Sequence, residues 1–245
     1  MKSTVYFFLP LLLFFTLSSC KQEIKNEDRF VICQVNPEKE SIRLYWKNKD
    51  HKILGSIARL KDEVESGHEE LLFAMNGGMF EPDHTPKGLY IENFKILKPV
   101  DSLSGSGNFY LPPNGVLYIT RNRKAGIVTT QQYRQNSGIR YATQSGPMLL
   151  MDGKINPLFQ KDSKNLNIRN GVGILENGEL IFAMSKKEIS FYTFARLFKE
   201  LGCRNALYLD GYVSRTYLPE KKWLQKDGDF GVIIGVTRAQ QSLDK

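Results

Sequence analysis

The stretch from Gly173 to Gly211, GILENGELIFAMSKKEISFYTFARLFKELGCRNALYLDG, decides the fold. It opens on an apolar segment, turns at Asn177–Gly178, and resumes as Leu180–Met184; Asn-Gly between apolar runs supplies the positive φ values of a type I′ hairpin turn. Ser190 then caps a helix in which Phe191, Phe194, Ala195, Phe198 and Leu201 share one face, and Gly202 closes it. That stripe predicts packing against a sheet. A last strand, Ala206–Leu209, ends in Asp210–Gly211. Strand, helix and strand in that order form a crossover, whereas the Asn-Gly hairpin requires antiparallel pairing. The expected fold is α/β in the broad α+β sense: a single domain of mixed, largely antiparallel sheets with helices packed against them.

Working outward, further strands are expected at Phe30–Val35, Ile42–Trp46, Leu71–Met75, Gly88–Ile91, Gly115–Thr120, Pro147–Met151, Gly171–Leu175 and Val232–Val236. Asp152–Gly153 marks a second hairpin between apolar segments. A second helix is expected within Ile53–Ser66. No repeat or low-complexity linker divides the chain.

The first residues, MKSTVYFFLPLLLFFTLSSC, read as a signal peptide over 1–19, too short and too Pro-broken for a membrane span. Its LSSC ending resembles a lipobox, which makes Cys20 the expected lipidation site. Residues 20–29 are charged and suit a tether, leaving 30–245 as the folded domain. The reading implies a protein of the bacterial cell envelope, held to the outer membrane by lipid on its periplasmic or surface face. The formal charge of +8 suits anionic ligands, but no basic cluster interleaved with aromatics argues for nucleic acid. A monomer is expected. Cys33 and Cys203 can pair or remain thiols with equal weight. His51, His68 and His84 show no zinc spacing. No cofactor is expected; a divalent cation such as calcium stays open, although no loop spells out its ligands.

Four apolar segments end on a polar residue beside glycine: Asn76-Gly77-Gly78, Ser145-Gly146, Arg169-Asn170-Gly171 and Asp210-Gly211. Glycine there lets the backbone turn or approach a ligand, and strand ends are where sites gather in sheet folds. The four predict one pocket lined by Asn76, Ser145, Arg169 and Asp210. Arginine grips phosphate or carboxylate with paired hydrogen bonds. A carboxylate can act as base or nucleophile, or orient the arginine, so a polar anionic ligand is favoured over a lipid. Glu92 is a second carboxylate candidate, and Asp83 with His84 a candidate acid-base pair against a turn-rich loop. SGSGNF, Ser104–Phe109, lacks the lysine of a phosphate-binding loop, and no G-x-S-x-G elbow surrounds any serine.

In their order, AMNGGMF, GNFYLPPNGVLYI, TQSGPMLLMDGKI, RNGVGILENGELIFAMS and NALYLDGYVS resemble the phosphodiester glycosidase family, in its short stand-alone bacterial branch. The resemblance spans nearly the whole domain after the tether. It implies that Asn76, Gly77 and Gly78, Ser145 and Gly146, Arg169, and Asp210, Gly211 and Ser214 occupy family motif positions. Tyr212 departs from the pattern, standing where many members have a second glycine, so the pocket is narrower or the ring stacks on a sugar.

The reaction so implied is hydrolysis between a sugar anomeric carbon and a phosphate oxygen, as in an N-acetylglucosamine-1-phosphate-capped glycan. It releases sugar and a phosphomonoester. Arg169 would clamp the phosphate and Asp210 act as base or electrostatic stabiliser, with Asn76 and Ser145 fixing substrate. Two rivals stand beside it: a surface lipoprotein that binds phosphorylated glycans without cleaving them, and a hydrolase of another anionic ester that uses Asp83 and His84.

Overall fold

Strand and helix lengths follow the apolar segments closely in the computed structural model, which describes residues 28–210 and 212–240. In chain order the elements are β1 (Phe30–Val35), β2 (Ser41–Tyr45), α1 (Ile57–Ser66), β3 (Glu69–Gly78), β4 (Tyr90–Glu92), β5 (Lys95–Lys98), β6 (Gly115–Thr120), β7 (Ala125–Thr129), β8 (Ile139–Ser145), β9 (Met148–Met151), β10 (Lys154–Ile155), β11 (Asn170–Ile174), β12 (Leu180–Ser185), α2 (Phe191–Glu200), β13 (Asn205–Tyr208), β14 (Thr216–Leu218), β15 (Trp223–Leu224) and β16 (Val232–Ala239). They form three sheets, in the orders β1-β12-β11-β13-β9-β10, β15-β14-β3-β16-β2 and β5-β4-β8-β6-β7.

The inner faces of the three sheets share one core. Leu180, Phe182 and Met184 of β12 meet Phe73 and Met75 of β3 and Leu117 of β6 there. The alternate residues Ile181 and Ala183 face α2 instead, with Phe194 and Phe198. Covering both faces explains why β12 reads LIFAMS, continuously apolar rather than alternating. The α2 rings, capped by Ser190 Oγ accepting from Thr193 N, are buried as the helical stripe predicts, and full burial contributes roughly 1.5–3 kcal/mol per ring. Helix α1 covers the second sheet through Leu60 and Val64 against Leu71 and Ala74.

Several expectations are corrected. The molecule is predominantly β, a single domain of antiparallel sheets with two α-helices among the described residues. The crossover from β12 through α2 to β13 exists, but both strands pair antiparallel with β11, which lies between them, so no parallel ladder forms and the sheets are not mixed among the described residues; the broad α+β expectation holds. At Asn177–Gly178 only Gly178 has positive φ, so the turn is not type I′; its amide donates to Leu175 O. Asp152 and Gly153 both adopt positive φ, as a type I′ turn requires. Cys33 and Cys203 are free thiols, each pushed up to about 12 by burial. Residues 1–27, including Cys20, lie outside the described residues, as does Gly211.

Candidate active site

The site is built where one strand end from each sheet converges. β3 ends in Asn-Gly-Gly because its ladder with β16 slips there: Ile233 pairs with Asn76 and Val232 with Gly78, leaving Gly77 as a bulge. A side chain on Gly77 would stand 2.6 Å from Ile234 Cγ1, and one on Gly78 would stand 2.6 Å from Thr143 Oγ1. Both glycines are therefore required by sheet packing. Gly146, next to Ser145 at the end of β8, lies under Phe109 O of the Ser104–Phe109 loop, where a Cβ would come within 2.9 Å.

Asn76, Ser145 and Asn170 are fully buried, and their side chains hold the segment that follows β13. Asn170 Nδ2 donates to Asn76 Oδ1 and Asn76 O, each at 2.9 Å, and Asn170 Oδ1 accepts from Asp210 N at 3.0 Å. Asn76 Nδ2 donates to Asp210 O at 2.8 Å, and Asn76 Oδ1 accepts from Arg215 N at 3.0 Å. Ser145 Oγ donates to Leu209 O at 2.6 Å. Ser214 Oγ lies 3.2 Å from Asp210 O. Main-chain groups that leave the sheet after Leu209 thus find partners without water, which the burial of this turn demands. Asn76 and Ser145 position the Asp210 segment through these bonds.

What the segment presents is a carboxyl group and a ring. Asp210 is only partly exposed, and burial lifts its carboxyl to about 6, with the Tyr212 amide, 3.2 Å from Oδ1, acting in the opposite direction. Tyr212 is 92% exposed beside it, free to serve as a platform.

Arg169 lies across the ladder. The β11–β13 register pairs Gly171 with Tyr208, so one further step sets Asn170 beside Leu209, and the next sets Arg169 level with Asp210. Strand alternation then sends Asn170 toward Asn76 and Arg169 to the opposite, α2 face. The guanidinium is fully buried, 3.6 Å above the Phe191 ring and 5.6 Å from that of Tyr208. Nε donates to Ile189 O at 2.8 Å and Nη2 to Asn165 O at 2.9 Å, whereas Nη1 is buried without a partner. Burial lowers its pKa, the Tyr208 hydroxyl opposing. No carboxylate lies within ion-pair distance of it among the described residues, so Arg169 and Asp210 do not neutralise one another.

The remaining candidates lie elsewhere. Glu92 is level with Tyr141 on β8, four residues from Ser145, and accepts from the Tyr90 hydroxyl at 2.9 Å. At ~3.3 Å per residue that is about 13 Å from the strand end. Asp83 and His84 do not pair: Asp83 accepts from Thr85 N, and His84 Nε2 lies 2.5 Å from Asp229 Oδ1 while its ring stacks on Phe80. Asn170 carries more of the site than its sequence reading gave it; the signal was its place between Arg169 and Gly171, where alternation requires one of two polar neighbours to face each way.

The phosphodiester glycosidase family matches residues 69–236, from the start of β3 into β16, and the chain belongs to that family. Strands β1 and β2 precede the matched span yet complete two of the sheets, and helix α1, also outside it, covers one of them. Among individual proteins, the chain is 37% identical over 185 residues to the uncharacterized protein YigE of Escherichia coli (strain K12), covering 75% of this chain and 72% of that one. Its fold resembles the zebrafish N-acetylglucosamine-1-phosphodiester alpha-N-acetylglucosaminidase catalytic domain, auto-inhibited by its pro-peptide, with a TM-score of 0.58 at 15% identity over 85% of this chain and 82% of that one. A hypothetical protein from Synechocystis superposes with a TM-score of 0.53 at 14% identity, over 85% of this chain and 59% of the other.

Proposed function

We propose that the protein hydrolyses the glycosidic bond of a sugar-1-phosphodiester, releasing free sugar and a phosphomonoester. The observation that carries the reading is an unpaired carboxyl group, Asp210, held by buried amides at the convergence of three sheets beside an exposed ring. A phosphate ester is already ionised at neutral pH and leaves without being protonated, so the two-carboxylate machinery of ordinary glycosidases is not needed. One carboxylate suffices to take the proton of an attacking water or to stabilise positive charge on the anomeric carbon. With its pKa near 6, Asp210 is mostly ionised at neutral pH and still basic enough for that work.

Arg169 serves the other end of the substrate. Its Nη1 has no protein partner and would donate to a phosphate oxygen once the Phe191 and Tyr208 rings that bury the guanidinium move aside, and its separation from any described carboxylate keeps its charge unneutralised. The Tyr212 ring stacks on the sugar. Lipid on Cys20 would keep the domain at the envelope; finding a Cys20→Ala protein still in the membrane fraction would contradict that placement.

The test is release of reducing sugar from a panel of sugar-1-phosphodiesters. Release by the wild type that vanishes in Asp210→Asn supports the reading, and an unaffected variant removes Asp210 from it. A fully active Arg169→Ala would remove the phosphate clamp. Binding of the same compounds without release by the wild type would replace hydrolysis with glycan recognition.

A further inference from the structure

At the far end of the strands from Asp210, a second cluster of charge has no part in that chemistry. The turn between β1 and β2, the turn between β6 and β7, and the start of β8 enclose a pocket of about 160 Å³ lined by Arg43, Arg123 and Arg140, with Ser41, Thr120 and Glu40. Arg140 lies five residues before Ser145 on β8, about 16 Å at ~3.3 Å per residue, so this pocket is separate from the candidate active site.

The three arginines are unequally neutralised. Arg43 makes a two-pronged ion pair with Glu69, both bonds at 2.7 Å. Arg123 uses Nε on Pro37 O at 3.0 Å and meets no carboxylate among the described residues. Arg140 Nε is buried without a hydrogen-bond partner among the described residues, and its guanidinium lies 5.2 Å from the Tyr141 ring and 6.0 Å from that of Phe94. Glu40 is the one carboxylate that lines the pocket, and its Oε2 accepts from Asn36 N at 2.6 Å. Three guanidinium groups against Glu40 and Glu69 leave an excess of positive charge around a space large enough for a small oxyanion. A buried orphan donor beside it destabilises the fold unless something accepts from it.

We propose that this pocket binds a tetrahedral oxyanion of the phosphate class, with Arg140 and Arg123 as its principal donors. Arginine forks match the edges of a phosphate, and the anion would supply the acceptor that Arg140 Nε lacks. The phosphate could be free in solution or carried by a lipid headgroup, since Phe94, Ile96 and Leu97 stand exposed on the adjoining β4–β5 hairpin.

The test is titration of the full-length protein with inorganic phosphate at low ionic strength, following arginine Nε–H resonances by NMR. The expected result is saturable movement of the Arg140 resonance. Arg123→Gln, a change at an exposed side chain, should weaken binding about tenfold, and Glu40→Gln should tighten it severalfold. Arg140→Gln should abolish it; should that variant fail to fold, Arg123→Gln carries the test alone. Asp210→Asn should leave the titration unchanged, which separates this pocket from phosphate bound as product at the active site. A second arm uses phosphatidylcholine vesicles with and without phosphatidylglycerol. Phosphatidylglycerol-dependent binding lost in Arg123→Gln identifies a headgroup as the source, and phosphate binding without vesicle binding identifies a soluble anion. Absence of both, or equal affinity in wild type and Arg123→Gln, overturns the proposal.

Discussion

Replacing Asp210 by Asn should make the protein more stable while abolishing its activity, and the size of the gain follows from the carboxyl's surroundings. Burial raises the group from an ordinary 3.8 to about 6. The unfolded chain therefore releases this proton near pH 4 and the folded one near pH 6, so between them the folded state binds more protons. Stability falls as pH rises through that interval and is level above it. At about 1.36 kcal/mol per pH unit the ionised carboxylate costs the folded state roughly 3 kcal/mol at most. The amide of Asn keeps the acceptor for Tyr212 N but adds an NH2 to be desolvated, so a net gain of about 1–3 kcal/mol is expected. Urea unfolding of both proteins at about pH 7.5 and about pH 4, with sugar release measured in parallel, reads the difference. The gain should appear at the higher pH and shrink toward zero at the lower. A variant less stable at pH ~7.5, or equally stabilised at both values, would refute the reasoning, since a buried carboxylate without an ion-pair partner must lower stability where it is charged.

Other outcomes follow from the same geometry. Asn170→Ala removes the acceptor of Asp210 N and the donor to Asn76, and should cost about 2–4 kcal/mol in denaturant unfolding with a large fall in kcat. Tyr212→Ala should change stability by less than about 0.5 kcal/mol and raise KM about threefold to tenfold with kcat little affected. Sugar release should decline as pH falls through about 6, where Asp210 takes up its proton; a flat profile there would exclude it as the base. Cys33 and Cys203, pushed up to about 12, should resist alkylation of the folded protein at mildly alkaline pH, read by mass spectrometry, and both should react in denaturant.

Much of this was legible in the sequence because periodicity and turn chemistry are local. Ser190 and Gly202 bracket α2, and β1, β6 and β12 run within a residue of their apolar segments. What escaped was set by partners distant along the chain. β5, β14 and β15 are two to four residues long and owe their strand character to the ladder beside them. β7 opens Ala-Gly, which hides its alternation. The direction of β13 relative to β12 depended on whether β11 would enter between them, which a strand-helix-strand order does not encode. Asp210 and Asn76 were readable as polar residues beside glycine; that Asn76 holds the Asp210 main chain across a separation of 134 residues was not.

That separation bears on how the protein acquires its activity. Asn76, Ser145 and Asn170 lie on three strands, one in each sheet, and Asp210 follows a fourth, β13; no two are neighbours in the chain. Closing such loops is entropically slow, and topologies rich in distant contacts fold slowly. The site cannot exist in any fragment that stops short of Asp210. Recovery of sugar release during refolding should accordingly trail the recovery of β-sheet signal, making catalysis a clock for the last step of assembly.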